Sequence, residues 1–236
     1  MRLPVRGAWA GVVGIAVALA ACGGDPLPSR PPCPTAPPTA DEAPGVLADA
    51  RSAVVRTNKG EFTIALDPSS APIATANFVR LARCGFYDGL TFHRVLAGFV
   101  IQAGDPQTRD RRDDFEGLGS GGPGFRFTVE FPDAGQSYAP YTVAMANAIE
   151  YDATGQIISG RDTNGSQFFI ALADLGHLLP YYSIFGTVTG GLDVVNAIAA
   201  LPVNHPRLGV PLDPAIIESI SISAESGVPA ASGEGG

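Results

Sequence analysis

From Ser52 to Ser223 the chain is a succession of short apolar runs, each closed by glycine, proline or asparagine, and this punctuation limits the fold more than any other feature. Ser52 to Leu66 alternates apolar and polar residues on either side of Asn58-Lys59-Gly60, the pattern of two strands joined by a tight turn. Runs at Leu90–Arg94, Phe99–Ala103, Phe125–Phe131, Tyr141–Ala146, Gln167–Ala171 and Ile184–Val188 have the length and spacing of barrel or sandwich strands. Two stretches depart from that pattern. Pro72 stands where a helix tolerates proline, Ile73, Ala76, Phe78, Val79 and Leu81 form an apolar face, and Gly85 follows as a C-cap, so a helix of about three turns is predicted. Gly191–Ala200 places Leu192, Val195 and Ile198 at helical intervals, and Ala215–Ser223 returns to alternation through Ile216, Glu218, Ile220 and Ile222. With 29 Gly and 21 Pro among 236 residues, composition argues against an all-helical bundle. One mostly-β domain over residues 46–226 is expected, followed by a Gly-, Ala- and Ser-rich tail, 227–236, expected to be disordered.

The N-terminus reads as an address. Arg2 and Arg6 precede an apolar run from Ala8 to Ala20 that is too short for a permanent membrane span, the form of a secretory signal. Leu19-Ala20-Ala21-Cys22-Gly23 resembles the bacterial lipobox, in which the cysteine thiol takes a diacylglyceryl group before cleavage. Residues 1–21 are then a lipoprotein signal peptide and Cys22 a lipidated N-terminus on the cell envelope; an ordinary signal peptide and a permanent anchor helix are the competing readings. Eight prolines between Pro26 and Pro44 favour extended polyproline II, so residues 22–45 are expected to form a tether, or else a Pro-rich ligand for a partner.

Charge and chemistry narrow the function. Without residues 1–21 the chain has 13 basic against 23 acidic residues, a net charge of −10, and its single lysine is Lys59. That balance excludes a protein that neutralises nucleic-acid phosphates and favours peptide or protein partners. Gly117, Gly119 and Gly122 satisfy Gly-x-Gly-x-x-Gly, but no strand precedes them and Pro123 follows, so a dinucleotide site is rejected. His93, His177 and His205 lack metal-ligand spacing, and no Gly-x-Ser-x-Gly elbow occurs. Neither a metal nor a cofactor is expected. Asn164-Gly165-Ser166 fits a glycosylation acceptor, but so short a motif recurs by chance. Cys33 and Cys84 are able to pair in an oxidising compartment or to stay free, and the sequence decides neither.

One constellation remains. Phe92-His93-Arg94-Val95-Leu96-Ala97-Gly98-Phe99-Val100-Ile101-Gln102-Ala103-Gly104-Asp105 is followed by Met145-Ala146-Asn147-Ala148 and by Asn164-Gly165-Ser166-Gln167-Phe168-Phe169-Ile170. Phe185-Gly186-Thr187-Val188 comes fourth. In this order the segments resemble the motifs of the cyclophilins, the peptidyl-prolyl cis/trans isomerases, and the likeness covers Val54 to Ile222. The resemblance implies a mostly-β fold, an eight-stranded antiparallel closed β-barrel capped by two α-helices, acting as a monomer on Xaa-Pro peptides and unfolded exported proteins.

It also implies roles for residues. Arg94 is the catalytic donor to the prolyl nitrogen, with Phe99 in the apolar floor and Gln102 binding the substrate carbonyl or orienting Arg94. Val100, Phe169 and Leu178 complete the proline pocket; the Asn147 backbone pairs with the extended peptide, and Ala146 and Gln167 shape the neighbouring groove. His177 stands where many cyclophilins carry tryptophan, and Tyr182 where they carry a pocket histidine. Residues 149–162 make the chain about eleven residues longer than compact members, a loop placed to select protein substrates. The chemistry suits an arginine on its own terms, because guanidinium stays protonated and presents a planar fork of donors. The alternative is a catalytically weak cyclophilin-like peptide-binding module or chaperone, and a purely structural envelope lipoprotein is the third reading.

Overall fold

The computed structural model describes residues 30–110, 117–204 and 206–225. The expected signal peptide 1–21, Cys22, His205 and the tail 227–236 lie outside the described residues. Strands β1 (Ser52–Thr57) and β2 (Gly60–Leu66) form the expected hairpin, with Thr57 opposite Gly60. Gly60 has φ +127°, and a Cβ there would lie 2.7 Å from Val194 Cγ2, so the turn requires glycine. Alternation sends Ala53, Val55, Phe62 and Ile64 into the core.

Helix α1 (Ala43–Leu47) and helix α2 (Pro72–Arg83) follow different logics. α2 has no side-chain cap of its own; Glu130, distant in sequence, accepts the Ile73 and Ala74 amides at 2.9 and 2.7 Å. Its other end closes as predicted at Gly85, where Gly85 N donates to Ala82 O and Phe86 N to Leu81 O, a Schellman pair. The apolar face read from the sequence divides in two. Phe78 and Leu81 enter the main core, whereas Ala76 and Val79 pack under Ala43, Leu47 and Ala50 of the α1 segment. The described part of the expected tether is therefore held to the body from Ala43 onward, and Cys33 is disulfide-bonded to Cys84 at the α2 C-terminus.

Strand β3 (Arg94–Leu96) begins only where the predicted run Leu90–Arg94 ends; β4 (Val100–Ala103), β5 (Thr142–Met145), β8 (Phe168–Ala171) and β9 (Ile184–Gly190) follow the predicted runs, and β6 (Glu150–Tyr151) with β7 (Ile157–Ser159) forms a separate small hairpin. Helix α3 (Leu192–Ala199) and strand β10 (Ile217–Ser223) end the order. α3 buries Val195 and Ile198 but leaves Leu192 at its exposed start. In β10 a bulge opposite Arg56 and Thr57 resets the alternation, so Ile220 and Ile222 face the core as expected, but Ile217 joins them in place of Ile216.

Eight strands form one antiparallel sheet in the order β10-β1-β2-β9-β5-β8-β4-β3. The sheet is an open half-barrel, which corrects the closed barrel that the resemblance implied. Of the run Leu90–Arg94, expected as strand, Leu90–His93 meets the chain at the start of β10 only through a bridge at Thr91–Ile216 and main-chain bonds such as Phe92 N to Ala215 O at 2.9 Å. Val95 N instead donates to Gly209 O at 2.6 Å, so a loop takes the outer edge of β3 and the ladder stops there. Phe125–Phe131 likewise forms no strand; Phe127 bridges Asn164 alone. Two helices were expected as caps, and the fold adds α1 and a 3-10 turn at Pro106–Arg109.

The core behind the sheet is aromatic. Phe78 meets Phe185 at 4.8 Å between centroids and Phe168 edge-on at 5.6 Å. Tyr87, fully buried, donates to Ser166 O at 3.1 Å, and burial raises its pKa well beyond the phenol range. This packing fixes β8, whose opposite-facing residues form the site.

Candidate active site

Arg94 opens β3 and Gln102 lies in β4, directly opposite it in the ladder. The tight turn at Ala97-Gly98, with Gly98 at φ +72°, folds the two strands together. Arg94 Nη1 donates to Gln102 Oε1 at 3.4 Å, Gln102 Nε2 donates to Gln167 Oε1 at 2.9 Å, and Gln167 Nε2 donates to Gly121 O at 2.8 Å. Each amide thus has its orientation assigned by the next group in line, and the line ends on a backbone carbonyl. Arg94 is half-buried, and desolvation lowers its pKa from the ordinary guanidinium value, opposed by the nearby Tyr182 phenol. The guanidinium also lies 5.8 Å from the centroid of Phe99.

Beside this polar line is an apolar patch separate from the main core. Val100 and Phe169 are buried in it, with Phe99, Ala146, Leu178 and Tyr182 packed around them. Gln102 and Ala144 flank Phe169 as its partners across β4 and β5, so one strand residue joins the polar line to the apolar floor. Tyr182 meets the Phe169 ring edge-on at 5.4 Å. His177 is exposed and stacks on Phe99 at 6.3 Å.

Asn147 stands apart from the apolar patch. Its side-chain amide donates to Tyr181 O at 2.7 Å, its oxygen accepts Ile149 N at 3.2 Å, and its own main-chain N–H and C=O have no hydrogen-bond partner among the described residues. Ala146 N is already used by Gln167 O at 2.9 Å. Ala146, Asn147, Gln102 and Gln167 line a cleft of about 780 Å³ whose far wall is the loop Gly119–Gly124. Asp105 holds that loop by accepting Gly119 N at 2.6 Å and Gly121 N at 3.2 Å. A Cβ on Gly121 would fall 2.1 Å from Asp105 Oδ1. Gly119 and Gly122, two of the three glycines that failed as a dinucleotide motif, are here part of a thin wall on the cleft.

The structure brings together Arg94, Phe99, Val100, Gln102, Ala146, Gln167, Phe169, Leu178 and Tyr182, with Asn147 on the adjoining cleft and His177 at the rim. Sequence reading missed Tyr138. Its ring packs on Phe169 and Tyr182, and its hydroxyl donates to Tyr182 O at 3.1 Å while accepting Tyr182 N at 3.0 Å. Burial pushes its pKa up to about 12, so it stays a neutral phenol. No group of three or more His, Cys, Asp or Glu residues able to hold a metal occurs among the described residues.

A profile of the family described as cyclophilin type peptidyl-prolyl cis-trans isomerase/CLD matches residues 52–222. The chain belongs to the cyclophilin family. This is an enzyme family, and cyclophilins similar in sequence carry its activity in their names. Peptidyl-prolyl cis-trans isomerase B of Streptomyces anulatus is 40% identical over 194 residues, covering 75% of this chain and 98% of that protein. Peptidyl-prolyl cis-trans isomerase A of Mycobacterium tuberculosis is 40% identical over 189 residues, covering 73% and 92%. A crystal structure of a Cryptosporidium parvum cyclophilin in the presence of the dipeptide Ala-Pro superposes with a TM-score of 0.60 at 30% identity, covering 74% of this chain and 99% of that one.

Proposed function

We propose that this cyclophilin accelerates rotation about Xaa-Pro bonds in exported polypeptides, with Arg94 as the electrostatic catalyst, while held to a membrane through a lipid on Cys22. The observation that carries the catalytic reading is the pairing of Arg94 and Gln102 beside Phe99 and Phe169. We read that apolar patch as the seat of the proline ring, with the Arg94 guanidinium beside it as the fixed cation.

Rotation of a prolyl amide breaks resonance behind a barrier of about 20 kcal/mol, and no bond to the substrate has to form. In the twisted state the nitrogen becomes pyramidal and gains a lone pair. A guanidinium N–H aimed at that lone pair stabilises the twisted amide more than the planar one, which is differential binding of the transition state. Gln102 holds the fork in place through its oxygen, and Gln167 prevents the Gln102 amide from turning over. Phe99, Val100, Phe169 and Leu178 take the ring, and the unpaired Asn147 main chain accepts the extended peptide as an added strand edge. The protein works as a monomer and needs neither metal nor cofactor, since the step moves no electrons and transfers no group.

Prolyl exchange in a short Ala-Pro peptide, measured by NMR with the full chain and with Arg94→Ala, tests this mechanism. The native protein should accelerate exchange and the variant should lose about 100-fold or more of kcat/KM while remaining folded. Native protein that binds the peptide without accelerating exchange would establish the pocket as a binding module. Metabolic labelling with a fatty acid, lost in Cys22→Ala, tests the anchor.

A further inference from the structure

The β6–β7 hairpin belongs to the stretch longer than compact cyclophilins, and it builds a second concave surface next to the catalytic groove. The Tyr181 ring lies between Phe131 at 6.0 Å and Tyr151 at 5.7 Å, and its hydroxyl donates to Gly155 O at the hairpin turn. Phe131, Tyr181, Ile157 and Pro180 bound a cleft of about 420 Å³, and Tyr151 packs on the Tyr181 ring that forms one of its walls. Arg161 closes one side, its guanidinium 5.4 Å from the Phe131 centroid.

Three features give that cleft a definite preference. First, it adjoins the groove, because Asn147 donates its side-chain amide to Tyr181 O and Tyr181 precedes Tyr182 of the apolar patch. Second, the acids near the cleft are hydrogen-bonded to neutral groups and not to Arg161: Asp152 accepts Thr154 N and Gln156 N in the hairpin turn, Glu150 accepts Ser159 Oγ across the hairpin, and Asp162 accepts Thr128 Oγ1 outside it. Third, Arg161 has no carboxylate partner among the described residues, where Arg30, Arg56, Arg80 and Arg83 each have one. In a chain of net charge −8, a cation left open over an aromatic shelf favours an anionic guest. Ring faces and Ile157 supply the apolar contact beside it.

We infer that this hairpin cleft is a second grip on the substrate polypeptide, binding a flank in which a bulky apolar side chain sits beside an acidic one, several residues from the isomerised bond. The inference rests on the isomerase reading for its substrate and deepens it to a sequence preference. A strand paired along Asn147 leaves the groove at the root of the hairpin, where Ala148 N donates to Thr163 Oγ1 at 2.9 Å, and so passes the cleft. The grip acts on binding and leaves the twisted amide to Arg94; its signature is in KM and equilibrium affinity.

The test uses the full chain and peptides with one Ala-Pro bond carrying Phe-Glu, Phe-Lys or Gly-Ser several residues to either side, together with a short Ala-Pro peptide without flanks. On one side of the bond, Phe-Glu should lower KM about fivefold relative to Gly-Ser, and equilibrium affinity should rise by the same factor. Arg161→Glu should transfer that preference to Phe-Lys, and Tyr151→Ser should bring the flanked peptides toward the Gly-Ser value. Equal affinity of the native protein for all three flanks on both sides overturns the inference, as does a Phe-Glu preference that survives Arg161→Glu unchanged. Exchange in the short peptide tests the isomerase reading separately, so failure of one is not mistaken for failure of the other.

Discussion

Arg94 and Gln102 are direct partners across the β3–β4 ladder, so the guanidinium is positioned by a neighbour on the same rigid hairpin rather than by a loop. Gln102→Leu keeps the side-chain volume but removes the acceptor and frees the fork. We expect kcat/KM for prolyl exchange to fall about tenfold with little change in melting temperature, whereas Gln102→Glu, which keeps an acceptor, should retain more activity. Paired NMR exchange and thermal denaturation measurements separate positioning from stability.

Glu130 is the long-range cap of α2, accepting two amides at the helix start. Glu130→Ala leaves both donors unpaired in a partly buried site and should cost about 1–2 kcal/mol. Glu130→Gln retains one acceptor oxygen and should cost less. Urea titration of the three proteins checks the order.

His93 is buried, and neither ring nitrogen has a hydrogen-bond partner among the described residues. Burial depresses its pKa to about 4, opposed by the charge of Asp105. The unfolded chain, with histidine near 6.5, therefore binds more protons between about pH 6.5 and pH 4, and stability falls as pH drops through that window. The loss is on the order of 3 kcal/mol and levels off below pH 4, where His93 is charged in the folded state as well. His93→Phe should flatten this part of the stability–pH profile measured by denaturant titration.

The Cys33–Cys84 bond closes a loop across 51 positions of sequence. On a chain-entropy basis, opening a loop of that length costs about 4 kcal/mol. Reduction, or the double Cys→Ser variant, should lower the melting temperature and increase proteolysis of the α1 segment while leaving short-peptide exchange unaltered, because α2 contributes no group to the pocket. A change in kcat on reduction would contradict that separation.

Legibility in the sequence followed local pattern. β4, β5, β8 and β9 were readable because each combines an apolar run with a turn residue at its end, and the β1–β2 hairpin because Asn58-Lys59-Gly60 admits few other conformations. The inward turn of Ile217 in place of Ile216 was not, because a bulge depends on the partner strand. The docked α1 segment was obscured by proline density. Thr39 and Glu42 there form a reciprocal capping box, with Thr39 N to Glu42 Oε2 at 2.9 Å and Glu42 N to Thr39 Oγ1 at 3.3 Å. Composition spoke for an extended tether; the capping box, the packing of Ala43, Leu47 and Ala50 on α2 and the Cys33–Cys84 bond hold the segment to the body.

Within the site, spacing alone could not bring Arg94 to Gln102; only the resemblance joined them, since a turn at Ala97-Gly98 is one of several ways to connect two short runs. Tyr138 had no local signal at all. It follows the turn-forming stretch Pro132–Ser137, outside any apolar run, and its partner Tyr182 lies 44 residues away. The β6–β7 pairing was equally hidden, because Ile157 and Ile158 stand among polar residues and the two strands together are only five residues long.

The disulfide also decides where mechanical load enters the molecule. β1 and β10 lie side by side with Ser52 opposite Ser223, so tension applied across these two strands would open their ladder from one end, one rung after another. Covalent attachment of Cys33 to Cys84 diverts a pull on the preceding chain into the C-terminus of α2. The intervening chain, including the whole β1–β2 hairpin, then lies inside a slack covalent loop. Force from that direction reaches the helix first, and the seam between β1 and β10 is spared.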